Sequence, residues 1–442
     1  MLNCPTFSVS VGIPIFGLGF TSTNHLIIGG GGGGGRSGVK NKLSAYRIDG
    51  KRRDLEEEAV YEVPEGEDAP MCLAVHPTDH SVVAGINASK KEIEAGVNKH
   101  CRVFRVTEEK WVYVNFTLHN AVQISTSKKE EEYQKVVRFS EDGSLVAVGT
   151  SDGHAEVFKY PSFESNGPTI KFDDEVLDVD IGLENDKLTC VTRDAIKLVT
   201  IRGKNSGKIL QTLPVSAINK KRRLQFRSFR YGRGAVKDVG FAVVNGVDKP
   251  AGYVVRLNPY TFETIKVHQV SKKPITAMCT SFDGAILAIA SSDLSITLFD
   301  ASSMQILTHI KNAHNFSITS MAISTDRRTL ASGSADNTCR IIFLPLQFPP
   351  ISVNPFHTLF LALAIAGTLL WLTTMFNAGD LDESFAQERT VSSRPVKVVA
   401  TTKIPLSNVI VPVSSPTTEF VPIETIESST FVSQSTEARD EL

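Results

Sequence analysis

The chain has 442 residues, with 47 Lys plus Arg against 48 Asp plus Glu. This balance offers no global basic excess for nucleic acid and no acidic excess for a solvating tail protein. A hydrophobic content of 41% permits a sizeable core, and 31 Gly with 20 Pro suit a fold of many turns better than a helical bundle.

Residues 1–20 carry no basic residue ahead of their apolar stretch, and Gly12-Ile13-Pro14 and Gly17-Leu18-Gly19 suit turns and short strands. No signal peptide is predicted, so the N-terminal part is expected to stay in the cytosol. The cysteines, Cys4, Cys72, Cys101, Cys190, Cys279 and Cys339, are irregularly spaced without a C-x-x-C, and none follows Cys339. That pattern indicates neither zinc nor a redox motif and fits a reduced domain.

Residues 29–35 are consecutive glycines, followed by Arg36-Ser37-Gly38-Val39-Lys40-Asn41-Lys42. Three readings compete. A phosphate loop must open a helix whose N-terminus faces the anion, but the following NKLSAYRID reads as a strand. The run could be a flexible hairpin loop. It could also be a protruding loop that binds through its backbone, since glycine allows close approach and positive φ.

A diffuse internal repeat fills the chain up to about residue 348. Two clear copies begin at Pro274 and Ser317, and a third begins at Val136. Each reads as strand, turn with Asp, strand ending in small residues, turn with Asp, strand. The copies at Pro274 and Ser317 lie about 43 residues apart, the period of a WD-repeat blade. Weaker copies begin at Ile15, Met71, Asp178 and Lys237, which makes seven. The expected fold is therefore all-β, a seven-bladed WD-repeat-like β-propeller over residues 1–348, although the GH and WD dipeptides are mostly absent.

Two charged stretches interrupt the pattern. Lys220-Lys221-Arg222-Arg223 with Arg227, Arg230 and Arg233 reads as a solvated loop between blades, a nuclear-localisation or nucleic-acid patch, or a surface facing anionic lipid. Lys128-Lys129-Glu130-Glu131-Glu132 mixes signs and reads as a loop. No G-x-S-x-G or H-E-x-x-H occurs, so nothing points to bond-making chemistry.

Residues 356–376, FHTLFLALAIAGTLLWLTTMF, carry no charge and match the roughly 20 residues that cross a bilayer as a helix. Arg327, Arg328 and Arg340 precede this stretch, and Asp380, Asp382 and Glu383 follow it. Together with the missing signal peptide, this predicts a single span with a cytosolic N-terminus and a lumenal C-terminus. Residues 377–442, rich in Ser, Thr, Pro and Val, are expected to be a disordered lumenal tail. The terminal Arg439-Asp440-Glu441-Leu442 resembles the KDEL and HDEL lumenal retrieval signals, so a KDEL-type receptor is an expected partner.

The G-G-G-G-x-x-x-G-x-x-N-K-L pattern after a first strand resembles the loop of the Sec-twelve family, called PREB in animals. Asn98-Lys99-His100, residues 313–319 and the ending Ile341-Ile342-Phe343-Leu344-Pro345-Leu346 are similar as well, as is the order of propeller, span and variable tail. The resemblance covers about residues 10–376. It implies a guanine-nucleotide exchange factor for the Sar-type small GTPase that starts COPII coat assembly at the endoplasmic reticulum membrane, with cycling through the Golgi. It implies that Gly35, Arg36, Ser37, Gly38, Val39, Lys40 and Asn41 contact the GTPase, with Val39 as an apolar tip and Asn41 as a polar anchor. It further implies a potassium ion held by Gly33, Gly34, Gly35 and Asn41. The chain departs from the family pattern by its extra glycines and by the basic Arg36 and Lys40.

Such an exchange factor performs no covalent chemistry. Two alternatives come from other classes. One is a membrane-tethered scaffold, which has no need of the glycine loop. The other is a propeller hydrolase, which would need acidic or His clusters converging on the channel.

Overall fold

The strand pairs of three repeats are joined by the same hydrogen-bonded turn. Ser140, Ser281 and Ser324 donate from Oγ to Asp142, Asp283 and Asp326 at 2.6, 2.6 and 2.5 Å. Each serine oxygen also accepts the backbone N–H that opens the next strand, from Leu145, Ile286 and Thr329. The residue after each Asp has positive φ, and Gly143 and Gly284 meet that demand without a Cβ penalty.

The computed structural model describes residues 4–35, 37–110, 112–348 and 355–387, with side chains placed over 359–375 in the last stretch. Two units separate between Ser352 and Val353. In the first, the hairpins extend into seven antiparallel sheets, six of four strands and one of five. The first strands of six sheets begin at Ile15, Cys72, Gln134, Asp178, Leu224 and Ile275, and the seventh sheet's at Ile318. Successive first strands contact one another, and the seventh contacts the first, so they line the axis of a closed ring. Thr6–Ser10 closes the circle by pairing with Thr338–Phe343, Thr6 opposite Ile342 and Ser10 opposite Thr338.

Each sheet is buried on both faces against its neighbours. Ile27, Leu43 and Ala45 of the first sheet pack with Leu73, Val82 and Phe104 of the second. This is why second strands such as Leu26–Gly30 and Leu145–Thr150 read as continuous apolar runs. All six cysteines are free thiols.

The all-β, seven-bladed expectation is met, with one sheet begun in the wrong place. Leu224–Tyr231 is the first strand of the fifth sheet, not part of a loop. The loop reading stands only for residues 220–223. In Leu224–Tyr231 apolar residues alternate with arginines, and the arginines meet the ring axis instead of solvent.

In the second unit, a helix spans Pro355–Gln387. It contains the expected crossing segment, but among the described residues no helix is long and apolar enough to cross a membrane. The helix also runs past residue 376 into the stretch expected to be disordered, over NAGDLDESFAQ, which includes the helix-favouring Ala, Leu, Glu and Gln. The rest of the tail, with Arg439, Asp440, Glu441 and Leu442, lies outside the described residues, as does Arg36.

Candidate functional site

The glycine run leaves the first sheet at one end of the ring. Gly30 lies opposite both Ile15 and Lys42, so the loop between them projects from the end where the inner strands begin. A strand, Lys42–Asp49, follows the loop, so the loop does not open a helix. This removes the structural basis of the phosphate-loop reading.

Asn41 clasps the loop. Its Oδ1 accepts the Gly33 N–H at 3.0 Å, and its Nδ2 donates to the Gly33 and Glu67 carbonyls at 3.0 and 2.9 Å. Gly31 has φ of +151°, and a Cβ there would lie 2.2 Å from Asn41 Oδ1. Gly33 has φ of +83°. Gly35, by contrast, has open space where a side chain would go.

The loop is then tied to the second sheet. Gly34 N–H donates to Asp68 Oδ1 at 3.0 Å, and the Asp68 N–H donates to the Asn87 carbonyl at 3.0 Å. Asn98 Nδ2 donates to Asn87 Oδ1 at 3.2 Å, and Asn98 Oδ1 accepts the Ala88 N–H at 3.0 Å. Glu67, whose carbonyl holds Asn41, is ion-paired to buried Arg102 at 2.5 Å. The glycine loop and the Asn98-Lys99-His100 segment, far apart in sequence, thus form one hydrogen-bonded assembly. His100 is buried beneath it, with neither ring nitrogen hydrogen-bonded to a described residue, and burial pushes its pKa down to about 4.

The third segment, residues 313–319, runs from the connection after the sixth sheet into the first strand of the seventh. His314 Nδ1 is 2.9 Å from Thr338 Oγ1, and its Nε2 is 2.8 Å from Ser332 Oγ. Thr319 Oγ1 donates to the Ile15 carbonyl at 2.5 Å, which joins this sheet to the strand beside the loop.

Among the loop residues, Gly34, Gly35, Ser37, Gly38 and Lys40 are exposed. Val39 is half-buried and does not form a tip. It lines a groove of about 620 Å³ with Val11, Ile13 and Val60. Lys40 pairs with Glu62 at 2.6 Å, but both are well exposed, so the pair contributes at most about 1 kcal/mol.

The groups around the loop are oxygen donors: backbone carbonyls, Asn41 Oδ1 and the Asp68 carboxylate. This set suits a hard cation. The Gly33 carbonyl already accepts from Asn41, and the Gly35 carbonyl from the Ser37 N–H at 2.9 Å. Among the described residues no group of three or more His, Cys, Asp or Glu could hold a metal. Asp68, Asn87 and Glu67 escape sequence reasoning because they act through contacts between loops and carry no local motif.

Residues 305–342 match the family described as WD domain, G-beta repeat. The chain is 22% identical over 70% of its length to SEC12-like protein 2 of Arabidopsis thaliana, covering 73% of that protein. It is 24% identical over 76% of its length to guanine nucleotide-exchange factor SEC12 of Candida glabrata, covering 72% of it. The chain is similar to the SEC12 proteins over most of its length. The rat SEC12 exchange factor is 23% identical over 52% of the chain and 60% of its own length. For fold, Raptor of Chaetomium thermophilum superposes with a TM-score of 0.58 at 14% identity, over 78% of this chain and 29% of Raptor. That likeness concerns the propeller alone.

Proposed function

We propose that the chain is a guanine-nucleotide exchange factor for a Sar-type small GTPase, acting at the endoplasmic reticulum membrane at the start of COPII coat assembly. The observation that carries this reading is the glycine loop, clasped by Asn41 and braced by Asp68 on a propeller homologous to proteins named as exchange factors. A rigidly anchored loop with an exposed glycine end can press its backbone into a partner. Residues 35–41 would contact the GTPase, with Val39 meeting it inside the groove it lines. Exchange then needs no covalent step. The propeller binds the nucleotide-free GTPase more tightly than the nucleotide-bound form, and that difference in affinity drives release.

A potassium ion fits the oxygen donors of the loop. Gly33, Gly34 and Gly35 carbonyls with Asn41 Oδ1 would hold it, and Asp68 would add charge. The ion would stiffen the loop and take no part in a reaction step. Exchange should therefore be fast in K⁺ and several-fold slower in Li⁺ at equal ionic strength, and Asn41→Ala should be slow in both salts. Equal rates in K⁺ and Li⁺ would remove the ion from the account. A fully active Asn41→Ala would remove the loop.

Membrane attachment is proposed from residues 356–376 and from the exposure of the side chains placed along the helix. Phe360 is 78% and Leu370 68% exposed. Lipid would cover them at little cost, since a helix satisfies its own backbone. The chain should stay in the membrane pellet after alkaline carbonate, and a deletion of 356–376 should release it. Release of the intact chain would contradict the anchor.

A further inference from the structure

The inner strands surround a cavity of about 530 Å³ at the end of the ring where they begin, which is the end that carries the glycine loop. This volume lies within the roughly 300–1,000 Å³ of small-molecule sites. Lys135, Arg138, Arg227 and Arg230 line it, and Asp178 is the one carboxylate among its lining residues. Asp178 is already engaged. It accepts from Arg230 Nη1 at 2.6 Å and from the Phe229 and Val179 N–H groups at 3.2 and 3.1 Å. Arg138 reaches it only at 3.9 Å. Lys135 is answered by Glu175, outside the lining. Arg227 makes no ion pair with a described residue. Two guanidinium groups therefore face the cavity without a close counter-charge.

Further unpartnered donors face the same space. Arg138 Nε, Ser228 Oγ and Thr276 Oγ1 are buried and have no hydrogen-bond partner among the described residues. Guanidinium forks and hydroxyls converging on one recess match phosphate oxygens in shape and charge. A dianion or polyanion would balance the excess and satisfy these donors together.

We propose that this cavity is a binding site for a small phosphate-bearing polyanion, with Arg227 and Arg138 supplying the charge and Ser228 and Thr276 the neutral hydrogen bonds. The site is separate from the exposed basic loop 220–223, and it does not depend on the exchange reading.

The test is calorimetric titration of the full chain in detergent with inorganic tripolyphosphate at fixed ionic strength. One saturable site is expected, weakened at least tenfold by Arg227→Gln and changed less than twofold by the double substitution Lys220→Gln, Lys221→Gln. Arg138→Gln should also weaken it, provided its melting temperature stays native. Three results would overturn the proposal: no saturable binding, native affinity in Arg227→Gln, or an equal loss in the loop double variant. Absence of tripolyphosphate binding together with slowed GTPase exchange by Arg227→Gln would assign the charge to an acidic side chain of the partner protein instead.

Discussion

Asn41 and the glycines it meets show how far single residues decide the loop. Asn41 makes three side-chain hydrogen bonds to loop backbone, each worth about 1 kcal/mol net. The run of glycines was plain in the sequence, but which of them the fold requires was not. That depends on Asn41, several residues along, and on Pro14, whose carbonyl accepts the Gly31 N–H at 3.0 Å. Gly31→Ala forces a Cβ into a positive-φ position 2.2 Å from Asn41 Oδ1. It should lower stability by about 1–3 kcal/mol and disturb the loop. Gly35→Ala meets nothing within 4 Å and should stay within about 0.5 kcal/mol of native. Thermal unfolding of the two variants side by side checks this, and equal losses would contradict the required-glycine account.

At the scale of elements, strands joined by Asp-containing turns were legible because Ser140, Ser281 and Ser324 repeat one hydrogen-bonded device at a fixed place. The first strand of the fifth sheet was not, because Arg227 and Arg230 look like a solvated surface when their cavity is unknown. The Asn98-Lys99-His100 segment was found, but its bond to the glycine loop runs through Asp68 and Asn87, which no pattern marks. That segment also carries a pH dependence. The ordinary His pKa of 6.5 falls to about 4 at His100 on folding, because burial disfavours the charged ring. Between those values the unfolded chain binds the proton and the folded chain does not, so stability falls as pH drops from about 6.5 towards 4. The full effect is on the order of 3 kcal/mol. His100→Leu should flatten this part of the profile. Urea unfolding at pH 7 and pH 4.5 measures it, and an unchanged slope in the variant would place the acid sensitivity elsewhere.

For the whole molecule, ring closure fixes which faces meet. Thr6–Ser10 completes the seventh sheet, and Thr319 then reaches Ile15 across the seam, so the glycine loop stands on a frame shared by the first, second and seventh sheets. The seven-fold repeat was readable because each blade is nearly self-contained in sequence. The loop's bracing was not, because it is built between blades. An apolar segment within the helix Pro355–Gln387 would hold this frame near a membrane. The account's central claim is that the framed loop opens the nucleotide site of a small GTPase. The most direct test is the rate of GDP release from a purified Sar-type GTPase, with and without the full chain in detergent and K⁺. Acceleration of at least tenfold at equimolar protein, lost in Val39→Asp while the propeller stays folded, is the predicted result. A release rate unchanged by the folded chain would contradict exchange activity and leave a tethered scaffold as the better description.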